Sequence, residues 1–389
     1  GLAFWGDWTF LKLSIGYIIG RICVSNLMLP QYFKYGISSI YEILGKKFGK
    51  DIQKVASSIF LITRILADGV RFLATAVIVQ LITGWSLPFS VLIIGLVTLI
   101  YTLNGGIRTV VWIDSVQFIL YLVGGVLSII FILNYLNQPM TSLILQLSEG
   151  SKLSIFNFDG NMFKDPFFAF SAIIGGILLS FSSHGVDYMM VQRVLGTKNL
   201  KSAQKAMIGS GIVVFVQFLI FLIAGSLIYI FMEGAKLDND REFTTFIINY
   251  LPIGIKGILL AGVLSAAMST LSSSINSLSS SIITDWMGGN KSIKKSQLVG
   301  FLCGLVLILI ALLFDESDSA IVIVGLQIAS FTYGGLLGLF LLSRLKTNFH
   351  NSSLICGLIF SFLIVFYLKS IELPWTWFIA FSVIVNIII

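Results

Sequence analysis

The residues best suited to chemistry in this chain lie inside apolar stretches, where every polar group needs a reason. The densest group is AGVLSAAMSTLSSSINSLSSSIITD, residues 261–285, in which hydroxyls recur from Ser265 to Ser281. On a helix Ser269 shares a face with Ser272 and Ser273, three and four positions on. Hydroxyl oxygens accept a small hard cation without the desolvation cost of full charges. Small hydroxylated residues also let helices approach and hydrogen-bond to each other. Spacing alone leaves both readings open, ion binding and packing.

Three other places carry charge. Asp114, in GGIRTVVWIDSVQ, lies a few residues beyond Arg108 and is followed by Gln117. A carboxylate at membrane depth is a cation ligand or proton carrier, unless it is an interfacial acid paired with Arg108. Arg71 falls about half-way along an apolar span, after Arg64 and Asp68. A buried guanidinium suits two-pronged capture of a carboxylate; a structural pair with Asp68 is the other reading. Ser180, Ser182, Ser183, His184 and Asp187 follow Gly175 and Gly176, a pair that predicts a bent or unwound helix. A helix broken at mid-membrane is a pointer to a transport site, while an imidazole bonded to Asp187 is the plainer expectation for His184.

These residues need elements to hold them, and composition says which. Of 389 residues, 57% are hydrophobic and 11% charged, against about 25% charged in an ordinary soluble domain. Apolar stretches of about 20 residues, enough to cross roughly 30 Å of hydrocarbon, recur from end to end. Eleven spans are predicted, near 8–30, 55–83, 87–103, 110–136, 167–190, 206–232, 257–284, 297–314, 319–343, 353–369 and 373–389. All should be helices, because lipid leaves no partner for an open backbone and the alternating dyads of a β-barrel are absent. Ile37 to Phe48 reads as a short amphipathic helix, and FTTFIINYLPIG, after residue 242, as an apolar turn on the membrane surface. The chain reads as one domain.

The net charge of +7 invites a nucleic-acid partner, but its distribution excludes one. Lys and Arg sit in short loops between spans. One alternating set holds fourteen, including Lys46, Lys47, Arg108, Arg193, Lys198, Lys291 and Arg344; the opposite set holds six, among them Lys152, Lys236 and Lys256. The richer set belongs in the cytoplasm. Cys23, Cys303 and Cys356 are far apart and read as small hydrophobes, and no pair of catalytic groups with a usable base appears, so an enzyme is not expected. The chain opens at Gly1 without methionine and stops at Ile389 in an apolar run, which reads as a fragment.

LLAGVLSAAMSTLSSSINSLSSSIITDW resembles the signature helix of the sodium:solute symporter family. YGISSIYEILGKKFG, YTLNGGIRTVVWIDSVQ and VQRVLGTKNLKSAQKA resemble other family segments, in the family's order, across nearly the whole chain. The resemblance implies an all-α polytopic membrane protein, a bundle of two inverted five-helix repeats with peripheral helices. Here residues 1–136 would be the remainder of the first repeat, 167–345 the second and 351–389 the peripheral helices; the first repeat's opening helix and the one before it would be missing.

Carried over residue by residue, the family's main sodium site falls on the Ala266 carbonyl and the Ser269 and Thr270 hydroxyls. A second site, present in some members, falls on Asp114, Ser269, Ser272 and Ser273, with Ile113 where Thr is frequent. Arg71 matches the arginine that receives a substrate carboxylate in sialic-acid members; His184 and Gln327 fall near substrate or gate positions. The implied activity is sodium-coupled symport of a small organic solute, with Na+ as coupling ion, in a multi-pass cell-membrane protein. The alternatives are a transporter-like sensory input domain and a carrier coupled to protons through Asp114.

Overall fold

The computed structural model describes the backbone except at 157, 159, 236–240, 290–291 and 314–320, and side chains except at these positions and at 104–110, 113, 263, 266–267 and 321–322. Lys236 and Lys291, used above, therefore lie outside the described residues, as do the side chains of Arg108, Ile113 and Ala266. Every regular element among the described residues is helical.

The membrane helices are α1 (Leu11–Tyr35), α3 (Lys50–Thr83), α4 (Leu87–Leu103), α5 (Asp114–Leu136), the bent pair α6 (Ala169–Gly185) and α7 (Tyr188–Leu195), α8 (Leu200–Phe231) and α10 (Ile253–Ser281). They are followed by α11 (Ile293–Leu313), α12 (Ile321–Ser343), α13 (Asn351–Ser370) and α14 (Phe378–Ile388). The amphipathic α2 (Tyr41–Phe48) links α1 to α3, and α9 (Glu242–Tyr250) lies between α8 and α10. Counting α6–α7 as one span, these helices correspond one to one with the eleven predicted spans.

Helical backbone continues from Leu87 to Leu136, and its two parts pack on different helices. Gly95 and Leu99 meet Ile308 and Gly304 on α11, whereas Tyr121 and Gly124 meet Gly262 and Leu259 on α10.

Burial departs from that of a water-soluble protein, with many polar side chains inside beside the apolar core and many large apolar ones outside. Ser57, Arg64, Asp68, Ser180, Asp187 and Ser274 are buried, while Ile100, Leu309, Leu363 and Phe366 are exposed. Large apolar surface facing outward is stable only where hydrocarbon covers it. Without a hydrophobic drive between helices, cohesion falls to close packing and internal hydrogen bonds. The α1–α6 crossing shows the packing. A Cβ on Gly16 would strike the Ile173 carbonyl, one on Gly20 the Ile177 carbonyl, and one on Gly176 the Leu13 carbonyl. Ser180 locks the same crossing by donating to the Tyr17 carbonyl at 2.9 Å.

Two expectations change here. Gly175 and Gly176 stay helical and serve as contact surfaces, Gly175 against Thr376 and Gly176 against α1; the bend comes ten residues later. The apolar turn expected on the membrane surface is instead α9, whose Phe246 and Ile247 are fully buried. Phe246 packs edge-on against Phe231 of α8, with ring centroids 5.3 Å apart.

Candidate functional site

The chain bends by 63° between α6 and α7, and the interruption leaves backbone groups that lipid cannot satisfy. Neighbouring side chains satisfy them. Tyr32 of α1 donates to the Gly185 carbonyl at 2.5 Å, and Tyr41 of α2 donates to the Val186 carbonyl at 2.9 Å. Asp187 caps α7 by accepting from the Met189 amide at 2.9 Å. The break is thus a built feature, its Gly185 and Val186 carbonyls and its Met189 amide each met by a side chain.

Asp187 has a second task. Its carboxylate pairs with Arg64 Nε at 3.0 Å and accepts from the Tyr333 hydroxyl at 2.5 Å. Arg64 also donates to the Tyr333 oxygen at 2.8 Å and pairs with Asp68 at 3.4 Å. Ser274 of α10 donates to Asp68. One guanidinium between two carboxylates therefore ties α3, α7, α10 and α12 together, with the Arg64, Asp68 and Asp187 side chains at most 2% exposed. A buried ion pair holds only when its remaining donors and acceptors are met, and here phenol and hydroxyl meet them.

A second cluster lies on the neighbouring face of α10. Asp114, at the start of α5, accepts from the Ser273 hydroxyl at 3.3 Å, and the Ser269 hydroxyl interacts with the same carboxylate. Two hydroxyls one turn apart on α10 thus converge on one carboxylate. The cluster holds a further member: Arg193 of α7 reaches in, its Nη2 2.8 Å from Asp114 Oδ2 and donating also to the Ser273 oxygen. This pair is more open than the first, with side chains 35% and 13% exposed for Arg193 and Asp114. Among the described side chains the ion-pair partner of Asp114 is thus Arg193, seventy-nine positions away; the Arg108 side chain lies outside them.

The remaining expected site residues are more scattered. Ser272 donates back to the Ser269 carbonyl at 3.0 Å. Thr270 is half-buried beside Ser269, and its carbonyl accepts from Ser274 at 3.0 Å. Arg71 pairs with Asp68 at 3.3 Å, but its side chain is 39% exposed, so it is not the buried guanidinium expected. Arg64 neutralises Asp68 from inside and leaves Arg71 to face Gly325 of α12. Gln327, half-buried, lies two positions further, roughly 200° around that helix. His184 bonds to Ser183 at 2.9 Å rather than to Asp187, whose carboxylate is taken by Arg64 and Tyr333. Arg71, His184 and Gln327 therefore stand on three helices without forming one contact set.

Sequence reasoning passed over Arg193, Tyr333 and Arg21. Arg21, 5% exposed on α1, donates to the Ser210 hydroxyl of α8 at 2.7 Å; a charge in mid-span was the available signal. Further inward, Asp285 in a widened turn after α10 accepts from Gln53 and Ser281 at 2.8 Å and Ser39 at 3.0 Å. Beside it a cavity of about 840 Å³ is lined by Thr102, Asn276, Ser279, Ser280 and Gln297 among others, a polar space at the end of α10 that the charge rule assigns to the cytoplasm.

Comparison with known proteins agrees with this architecture. The chain is 28% identical over 294 residues to human sodium-coupled monocarboxylate transporter 2, covering 72% of this chain and 46% of that protein. It is 25% identical over 366 residues to the human sodium/iodide cotransporter, covering 90% of this chain and 56% of that protein. The chain thus spans about half the length of these curated relatives. Its fold matches that of a Na+-coupled sialic acid symporter in a substrate-bound outward-open state, with a TM-score of 0.87 and 23% identity over 99% of this chain and 83% of that one. A profile of the sodium:solute symporter family matches residues 1–366, and the chain belongs to that family.

Proposed function

We propose that this protein carries out sodium-coupled symport of a small, carboxylate-bearing organic solute across the cell membrane by alternating access. The observation that carries the reading is the convergence of Asp114 from α5 with Ser269 and Ser273 from α10. Carboxylate and hydroxyl oxygens are the donor set a hard cation takes. Sodium is cargo here. One ion is assigned to the Ala266 carbonyl with Ser269 and Thr270, a second to Asp114, Ser269, Ser272 and Ser273. Membership of the family and the relatives that carry monocarboxylates and iodide support the reading.

Arg71 is the residue assigned to the solute's carboxylate. Its partly open guanidinium, anchored on one side by Asp68, leaves donors for a second anion. In the same reading residues 1–136 belong to the first repeat and 167–345 to the second. Residues 351–389 are peripheral, in keeping with the seating of α13 and α14 on α12 at Gly334, Gly335 and Gly338. Two sodium ions with a monoanion would move one net charge, worth about 2.3 kcal/mol per 100 mV.

The test is thermal stability of the purified protein in sodium against potassium, beside Thr270→Ala. A sodium-specific rise that the variant loses is expected from binding linkage. Equal stability in the two cations would overturn sodium coupling and point to proton coupling through Asp114.

A further inference from the structure

We infer that Arg193 is a tethered competitor for the cation at Asp114, so that sodium entering the second site must displace it and thereby releases the inner end of α7. The inference rests on the sodium reading above and adds to it a residue and a consequence that neither the site assignment nor the family supplies.

The geometry is specific. Asp114 contributes one negative charge, and Arg193 Nη2 already stands 2.8 Å from its Oδ2 while donating to the Ser273 oxygen. These are two of the oxygens that a sodium ion at this site would use. An ion at ligand distance from both would lie against the guanidinium, one positive charge beside another with a single carboxylate to share. Occupancy by ion and by guanidinium is therefore mutually exclusive. The pair can also exchange. Arg193 is 35% exposed, and a long flexible side chain at a wet margin leaves its partner far more readily than one sealed in the core.

The consequence follows from how α7 is held. At its outer end Asp187 is fixed to Arg64 and Tyr333. In its first turn Tyr188 donates to the Ser38 carbonyl at 2.8 Å and contacts Ser280 at 3.0 Å. Towards its inner end the polar hold among the described residues is Arg193 on α5 and α10, beside the packing of Val191 in the core. Sodium at Asp114 leaves the first two ties intact and cuts the third. By reciprocity, any movement of α7 that withdraws Arg193 raises the site's affinity for sodium. An ion at one position thereby sets the freedom of the short helix that follows the break.

The test titrates sodium against thermal stability at constant ionic strength, with choline as the replacement, in wild type, Arg193→Gln, Arg193→Lys, Asp114→Asn and the Asp114→Asn/Arg193→Gln double variant. Arg193→Gln is expected to lower the half-saturating sodium concentration by about tenfold. Arg193→Lys should keep most of the competition, and Arg193→Gln should have no effect once Asp114 is Asn. An unchanged or raised half-saturating concentration in Arg193→Gln, with wild type responding to sodium, overturns the competition and leaves sodium coupling standing. No sodium response in wild type overturns both. A measurement without variants stands beside it: phenylglyoxal labelling of Arg193, read by peptide mass spectrometry, should rise in sodium relative to choline. Equal or reduced labelling overturns the displacement even if no Arg193 variant folds.

Discussion

Two guanidinium–carboxylate clusters sit at the two ends of α7 and differ in one respect that decides their roles. Around Arg64 the guanidinium and both carboxylates are buried: each carboxylate is paired with it, Tyr333 donates to Asp187 and Ser274 to Asp68, and only Arg71, at the edge of Asp68, is partly open. Around Asp114 the same chemistry is half open. The sealed cluster cannot lose a member without stranding a charge in a low-dielectric interior. The open cluster can, because its guanidinium is partly exposed. Similar residue types thus make a fixed joint at one end of α7 and an exchangeable one at the other.

The comparison breaks if the sealed cluster tolerates loss. Arg64→Ala strands Asp187 and leaves Asp68 to Arg71 and Ser274; it should cost about 3–5 kcal/mol, seen as a collapse of monodisperse protein or a large fall in Tm; Arg64→Lys should rescue little, since one ammonium cannot span both carboxylates and the phenol. A mild phenotype for Arg64→Ala would mean that the cluster is wetter than its burial indicates. Next in size is Tyr333→Phe, which removes a hydrogen bond to a buried carboxylate and should cost about 1.5–3 kcal/mol, measured by thermal unfolding in detergent. The smallest effect sharpens the contrast: Arg193→Ala, without sodium, should lower stability by no more than about 1 kcal/mol. A loss equal to that of Arg64→Ala would erase the distinction between the two joints.

Much of this was legible in the chain. The spans were visible because lipid imposes long apolar runs, and Asp114, Ser269 and Ser273 stood out because polar groups in such runs are costly. What stayed hidden was pairing. Arg193 lies in VQRVLGTK among other basic residues, where the positive-inside rule reads it as an orientation charge; its use as a partner for Asp114 depends on the bend that turns α7 inward. His184 and Asp187 looked like partners because they are three apart on a helix, but the helix ends between them at Gly185, and Arg64 comes from another span to take the carboxylate. Tyr333 carries no local signal in an apolar run. The bend was expected at Gly175–Gly176, where two glycines adjoin, and those residues turned out to be needed for close approach to α1.

That close approach limits how the molecule can deform. With Gly16, Gly20 and Gly176 pressed backbone to backbone and Ser180 bonded across the gap, α1 and α6 behave as one plate. A hinge with one leaf bolted down can swing only the other, so rotation at residues 185–187 must appear almost wholly in α7 and the start of α8. Labels on α1 and α6 should keep their separation through the working cycle, and a label on α7 should record the full stroke.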